Sequence, residues 1–224
     1  VEVSFATDGS RAIAQLKNRA EVSAERGPAT LIEGEKVLRY RVGDFEYQVS
    51  HSSFWQSNIS APEVLVDSVM EYAQLQPQDH LLDLYGGVGL FTGAALSYLG
   101  AGGRVDIVEA SESATADAAR NFQGYSQVKI HIGDVARELK KFKRADVVIL
   151  DPPRIGAGKS VIERIVGLSA RAIIYVACDP AALARDTSYL RECGYSLDDI
   201  RAFDLFPMTH HIESVALFTP RKVS

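Results

Sequence analysis

From residue 60 onward, short apolar runs alternate with helical stretches, and this alternation constrains the fold more than any other feature. The runs occupy residues 80–85, 104–109, 127–131, 145–150 and 171–177, and the helical stretches about 90–99, 112–122, 135–140, 159–168 and 180–192. Each run is too short for a buried helix, and the helix after it carries the chain back to the same edge. Five βα units of this kind predict a mainly parallel sheet with helices on both faces. Two more strand candidates, 196–206 and 212–219, have no helix between them, so a C-terminal antiparallel hairpin is expected to close the sheet. In front of the first unit, Ser60-Ala61-Pro62-Glu63 reads as a helix start, with Ser60 as N-cap and Glu63 three residues on. Val66, Val69, Met70 and Ala73 mark that helix's apolar face.

The first 57 residues have a different texture. Asp8-Gly9 separates residues 1–6 from 11–16, and Gly43-Asp44 separates 36–42 from 45–50. Both dipeptides suit the turn that joins two twisted strands, so two hairpins are expected. The stretch between them, with Gly27-Pro28, announces no element. The chain therefore divides into a small, mainly β segment, 1–57, and an α/β unit, 58–224. The small segment holds too little core to stand alone and should pack on the larger unit.

Composition removes several classes. No apolar stretch reaches the ~18 residues of a membrane span, and no basic-then-apolar leader is present. Cys178 and Cys193 are the only cysteines, too few for a disulfide scaffold or a four-cysteine metal site, which fits a reduced, cytoplasmic setting. A net charge of −5 argues against broad coating of nucleic acid but leaves room for a local basic rim. The chain begins at Val1, as expected of a piece of a longer protein.

The chemistry-bearing residues gather at the ends of the apolar runs. Asp83-Leu84-Tyr85-Gly86-Gly87-Val88-Gly89-Leu90-Phe91 closes the first run and opens a helix. Glycines there let a ligand approach the backbone, although Thr92 stands where a dinucleotide fingerprint needs glycine. Glu109 ends the second run and Asp134 follows the third. Either acid alone is commonly a helix cap or a solvated group. Together, at successive strand ends, they favour a nucleoside-type cofactor, whose ribose hydroxyls a carboxylate such as Glu109 accepts. Asp151-Pro152-Pro153-Arg154 follows the fourth run, where two prolines stiffen the backbone around an acid.

In Tyr175-Val176-Ala177-Cys178-Asp179-Pro180, Pro180 suits the first helical position and Asp179 the cap. Cys178 then lies between a strand end and a helix N-terminus, whose dipole favours the thiolate while Asp179 opposes it. Cys193, at a helix end, reads as a small buried hydrophobe. Phe206-Pro207-Met208-Thr209-His210-His211-Ile212-Glu213 links the last two strands. Adjacent histidines rarely chelate one ion, and no supporting acid or cysteine cluster is present, so no metal is expected. Glu213, set among apolar residues, needs a partner or a raised pKa, which suits a general base. Lys140, Lys141, Lys143 and Arg144 precede the fourth run and so lie at the far edge as a solvated face. Arg154, Lys159 and Arg185 are the better phosphate candidates.

In combination these motifs resemble the uracil-C5 RNA methyltransferases, which form 5-methyluridine in tRNA and rRNA and share the class I S-adenosylmethionine (SAM) methyltransferase fold. The resemblance covers roughly residues 45–220 and rests on Phe54-Trp55-Gln56-Ser57-Asn58, the Asp83–Phe91 turn, Glu109, Asp151-Pro-Pro-Arg154, Ala177-Cys-Asp-Pro-Ala181 and Phe206-Pro-x-Thr-His-His-x-Glu213. It implies that Cys178 is a nucleophile adding to carbon 6 of uracil and Glu213 the base that removes the carbon-5 proton. It also implies that Gln56, Tyr85, Glu109, Asp134 and Asp151 contact SAM, that the partner is tRNA or rRNA, and that 1–57 is a remnant of a central or RNA-binding region. The chain departs from the family in having Asp179 after the cysteine where asparagine is usual, and Leu90 where asparagine is frequent. Two other readings stay open. One is a methyltransferase of an exocyclic base nitrogen with Cys178 structural, although Arg154 stands where such enzymes carry an aromatic ring. The other is a non-catalytic RNA-binding module.

Overall fold

The strands of the larger unit carry apolar residues on both sides, so each must be covered twice, and the chain does this by laying its first three helices over one face and its last three over the other. The computed structural model describes residues 2–16 and 29–221; Val1 and Gly27-Pro28 lie outside the described residues. In chain order the elements are β1 (Glu2–Phe5), β2 (Arg11–Leu16), β3 (Ala29–Gly34), β4 (Val37–Val42), β5 (Phe45–Ser50), α1 (Ala61–Ala73), β6 (His80–Leu84), α2 (Leu90–Ala95), β7 (Arg104–Glu109), α3 (Glu112–Asn121), β8 (Val128–Ile132), α4 (Val135–Glu138), β9 (Val147–Leu150), α5 (Lys159–Val166), β10 (Ala172–Ala177), α6 (Pro180–Glu192), β11 (Tyr195–Phe203) and β12 (Glu213–Pro220).

One seven-stranded sheet runs in the order β11-β12-β10-β9-β6-β7-β8. The strands β6 to β10 are parallel to their neighbours among themselves, whereas β12 is antiparallel to β10 and to β11. This is the α/β architecture with a closing hairpin that the alternation predicts. Because the chain leaves β6 towards β7 and later returns to its other side with β9, the strand order reverses between β6 and β9. In an open α/β sheet the crevice at such a reversal, beyond the strand C-termini, is where ligands bind.

The pleat sends alternate side chains to opposite faces. Leu81, Ile107, Ile149 and Val176 join α1, α2 and α3 on one side. Leu82, Val108, Val148 and Tyr175 join α4, α5 and α6 on the other. The first face is also covered by the β4–β5 hairpin, which contributes Leu38, Tyr40, Tyr47 and Val49 to the same apolar cluster. Tyr47 is fully buried and its hydroxyl donates to the Leu90 carbonyl at 2.8 Å. Buried Asp117 on α3 accepts from the Ser50 amide at 2.8 Å and from the Ser50 and Ser53 hydroxyls at 2.6 Å. The hairpin is thus fixed to the helix face over the crevice. In front of it β1, β2 and β3 form a separate antiparallel sheet, whose third strand the sequence did not announce.

Two local expectations are corrected. Ser60 has helical backbone angles, φ −87° and ψ −14°, and makes no capping bond. Asn58 takes over part of that role, its Oδ1 accepting from the Ser60 amide at 2.8 Å while its Nδ2 donates to the Leu205 carbonyl at 2.7 Å. The helix expected over 90–99 stops at Ala95, where the Ser97 hydroxyl donates to the Ala94 carbonyl at 2.8 Å and offers the backbone a turn instead. Among the described residues no helix is long and apolar enough to cross a membrane.

Candidate active site

Register alone assembles most of the site. Leu84 lies beside both Val108 and Leu150, so Tyr85, Glu109 and Asp151 stand at one level at the ends of three adjacent strands. Tyr175 lies beside Leu150, and Ala177 opposite Ser214. One residue further on, Cys178 and Glu213 leave β10 and β12 at the same level. Adjacent strands are ~4.8 Å apart, so these five side chains form a row along the strand-end edge.

The row carries two openings. A cleft of about 390 Å³, open to solvent, is lined by Phe54, Trp55, Gln56, Tyr85, Gly87 and Asp151 among others. A smaller, shallow pocket is lined by Pro152, Arg154, Tyr175, Cys178 and Asp179 among others. Gln56 reaches the cleft because Trp55 stacks on Tyr40 of the hairpin, with ring centroids 4.7 Å apart.

The glycine turn has two distinct needs. Gly87 has φ +55° and nothing within 4 Å of the place a side chain would occupy, so a ligand has free approach to that backbone. Gly89 has φ +93°, and a Cβ there would collide with the Phe122 ring. Glu109 holds the turn from the neighbouring strand, accepting from the Gly87 amide at 3.0 Å and the Ser111 amide at 2.7 Å. Asp134 caps α4, accepting from the Arg137 amide at 2.9 Å. That is the structural role weighed for it in the sequence, and it leaves the carboxylate at the rim of the row.

A residue that the sequence offered only as part of a motif proves to belong to the site. Asp83 is buried, and its Oδ2 accepts from the Thr92 hydroxyl at 2.6 Å and the Thr92 amide at 3.1 Å, while Oδ1 has no partner. Burial pushes its carboxyl up to about 6 against the pull of the Thr92 bonds. Asp151 is pushed up to about 8 by burial and then by the charges of Glu213, Asp83 and Glu109. Carboxylates crowded in this way favour a cationic ligand, which relieves their repulsion. Among the described residues no group of three or more His, Cys, Asp or Glu side chains is placed to hold a metal ion.

At Cys178 the helix N-terminus is not the only influence. The thiol is pushed up to about 11 by burial and by Glu213 and Asp151, with Arg154 pulling the other way. Burial and the carboxylates on the neighbouring strands both favour the thiol over the thiolate. Asp179 is engaged as the cap of α6, accepting from the Ala182 amide at 2.8 Å. Glu213 is 6% exposed, and burial raises its carboxyl above the usual range while Arg154 opposes the shift. Arg154 also donates to His211 Nε2 at 3.2 Å.

Buried Asp186 on α6 sets the loop that carries Asp151 and Arg154. Its Oδ2 accepts from the Ala157 amide at 2.8 Å, the Gly158 amide at 3.1 Å and the Tyr175 hydroxyl at 2.8 Å. Arg185, a phosphate candidate in the sequence, is instead bound to Asp186 at 2.9 Å and to the Ile155 carbonyl at 2.7 Å. Asp186→Ala leaves those buried donors unpaired. It is expected to cost about 2–4 kcal/mol in urea denaturation and to lower activity by loosening residues 151–158. An unchanged denaturation midpoint would remove this bracing role.

With this geometry in hand, similarity to known proteins is informative. The tRNA (uracil-5-)-methyltransferase family model matches residues 103–221, which include Cys178 and Glu213. The protein-L-isoaspartate(D-aspartate) O-methyltransferase model matches residues 33–150 and so ends before either of them. A protein named as an RNA methyltransferase from Streptomyces avermitilis is 44% identical over 201 residues, 89% of this chain and 46% of that protein. Another so named, from Bifidobacterium longum, is 42% identical over 216 residues, 88% of this chain and 50% of that protein. The chain spans about half the length of these relatives. Among solved structures, the Pyrococcus abyssi tRNA (uracil-54, C5)-methyltransferase in complex with S-adenosyl-L-homocysteine superposes with a TM-score of 0.73 at 29% identity, over 93% of this chain and 50% of that one. TYW2 from M. jannaschii in complex with AdoMet gives 0.61 at 15% identity, over 86% of this chain and 91% of that one, a likeness of fold alone.

Proposed function

The chain belongs to the tRNA (uracil-5-)-methyltransferase family, and from that premise we propose that it methylates carbon 5 of a uridine in tRNA or rRNA, with SAM as methyl donor, Cys178 as nucleophile and Glu213 as base. The observation that carries the reading is the pairing of β10 with β12, which brings a thiol and a buried carboxylate out of adjacent strands at one level. An exocyclic-nitrogen methyltransferase has no use for that pair.

SAM supplies an electrophilic methyl group on a sulfonium. Gln56, Tyr85, Glu109 and Asp151 are the residues that would hold it, with Asp83 beneath and Asp134 at the rim. The open backbone at Gly87, the unpartnered Asp83 oxygen and the mutually repelling carboxylates fit such a cationic nucleoside.

Carbon 5 of uracil is a weak nucleophile until the ring is broken electronically. The Cys178 thiolate adds to carbon 6, and the electron pair of the 5,6 double bond moves to an enolate whose carbon 5 is nucleophilic. After methylation carbon 5 carries an acidic proton next to a carbonyl. Glu213 takes that proton, the double bond re-forms and the thiolate leaves. Arg154 lowers both the thiol and the Glu213 carboxyl, and so favours the ionised form each needs.

RNA incubated with the protein and SAM, then digested to nucleosides, is expected to yield 5-methyluridine by mass spectrometry. Methylcytidine or methyladenosine in its place would end this reading.

A further inference from the structure

Two loops flank the Cys178 pocket, residues 151–158 after β9 and residues 204–212 between β11 and β12, and Arg154 joins them through its 3.2 Å bond to His211. Each loop presents a large apolar side chain to water. Ile155 is 71% exposed, and Met208 is completely exposed. Met208 also sits at φ +65°. Exposed apolar surface contributes nothing to folding, and a non-glycine residue at positive φ is strained where glycine would not be.

The loop is nevertheless braced. The Thr209 hydroxyl donates to the Phe206 carbonyl at 2.7 Å, the His211 amide to the Thr209 hydroxyl at 3.2 Å, and Asn58 to the Leu205 carbonyl at 2.7 Å. The His211 ring meets Phe206 edge-on and lies 4.3 Å from the His210 ring. A held knuckle that displays a strained, exposed methionine beside a reactive pocket calls for an apolar partner from outside.

We propose that Met208, with Ile155 on the facing loop, is a wedge that enters the base stack of the RNA and occupies the space left when the target uridine turns into the Cys178 pocket. This rests on the reading of the site as acting on uridine. A stacked uracil cannot present the face of carbon 6 to a thiol, so it must be extruded. The gap costs stacking energy unless an apolar group fills it, and proteins that unstack bases use side chains of this kind. Methionine's flexible, polarisable thioether suits a surface made of base faces. Met208 and Ile155 are positioning residues and touch no reacting atom.

Two hairpin RNAs of the same composition test the proposal, one with a single 5-fluorouridine paired in the stem and the other with it in a one-nucleotide bulge. Covalent adduct formation is followed on denaturing gels in the presence of SAM. Met208→Gly is expected to slow adduct formation about tenfold or more on the stem RNA and to leave the bulge RNA nearly unchanged, because a bulged base is already half extruded. Its thermal midpoint should equal or exceed the parent's, since glycine relieves the backbone. Met208→Leu should retain the parent's rates, and Ile155→Ala should show a smaller loss with the same stem selectivity. Parent-like rates for Met208→Gly on the stem RNA, or equal losses on both RNAs, would overturn the wedge while leaving the methyltransferase intact. A parent protein that forms adduct with neither RNA would overturn the underlying reading, and the wedge with it.

Discussion

Cys178→Ala is expected to abolish methyl transfer, by at least about ten-thousandfold, and to eliminate the covalent complex with 5-fluorouridine RNA. Without the thiol, carbon 5 must attack from an intact ring, and no other thiol among the described residues lines the pocket. SAM affinity, measured by calorimetry, should change little, because the cleft lined by Gln56, Tyr85 and Asp151 does not include Cys178. Loss of a small half-buried side chain should also leave the fold standing, with a stability change of about 1 kcal/mol or less. Methyl transfer surviving in the variant would make Cys178 structural and return the exocyclic-nitrogen reading. The thiol adds a pH signature. It is pushed up to about 11, and an acid below its pKa gains ionised form tenfold with each pH unit. The adduct rate should therefore climb through neutral pH without a plateau. Arg154→Ala should depress the whole profile, since Arg154 is what holds the thiol down.

Local and distant determinants divide what was legible in the sequence from what was hidden. The sheet was legible because its signal is local: the runs ending at Leu84, Glu109 and Leu150 are apolar on both faces and separated by helical stretches of ordinary length. The row at the strand ends was legible for the same reason, since a parallel sheet brings every strand's C-terminus to one edge and Tyr85, Glu109, Asp151 and Cys178 each stand at one. The state of those residues depends on neighbours distant in the chain. The Cys178 thiol is pushed up first by burial and then by Glu213 and Asp151, which reach it from β12 and β9, and none of these is written in the adjoining helix. Asp186 resembles any mid-helix acid until the fold sets Ala157, Gly158 and Tyr175 around it. Asn58 displaced Ser60 as the helix-entry residue because its amide is also recruited by Leu205, a contact no local pattern encodes.

Glu213→Gln should convert the enzyme from one that turns over into one that stops at the methylated adduct. General-base removal contributes about a hundredfold to ten-thousandfold, and the loss should fall on product release, with addition largely spared. Ordinary uridine RNA, which the parent releases, should then remain covalently attached on denaturing gels when SAM is supplied, and Cys178→Ala in the same chain should erase the band. The substitution is well matched to the site. Burial already favours the uncharged form of Glu213, and glutamine is nearly its isostere, so urea denaturation near neutral pH should move by no more than about 1 kcal/mol. One consequence separates a base from a residue that merely packs. The Glu213 charge is among the groups that push the Cys178 thiol up, so its removal lets the thiol ionise at lower pH. The rate of adduct formation with 5-fluorouridine RNA should then equal or exceed the parent's, and its rise with pH should begin earlier. A variant that binds SAM yet loses the adduct and the product together would show that Glu213 supports the pocket and abstracts no proton.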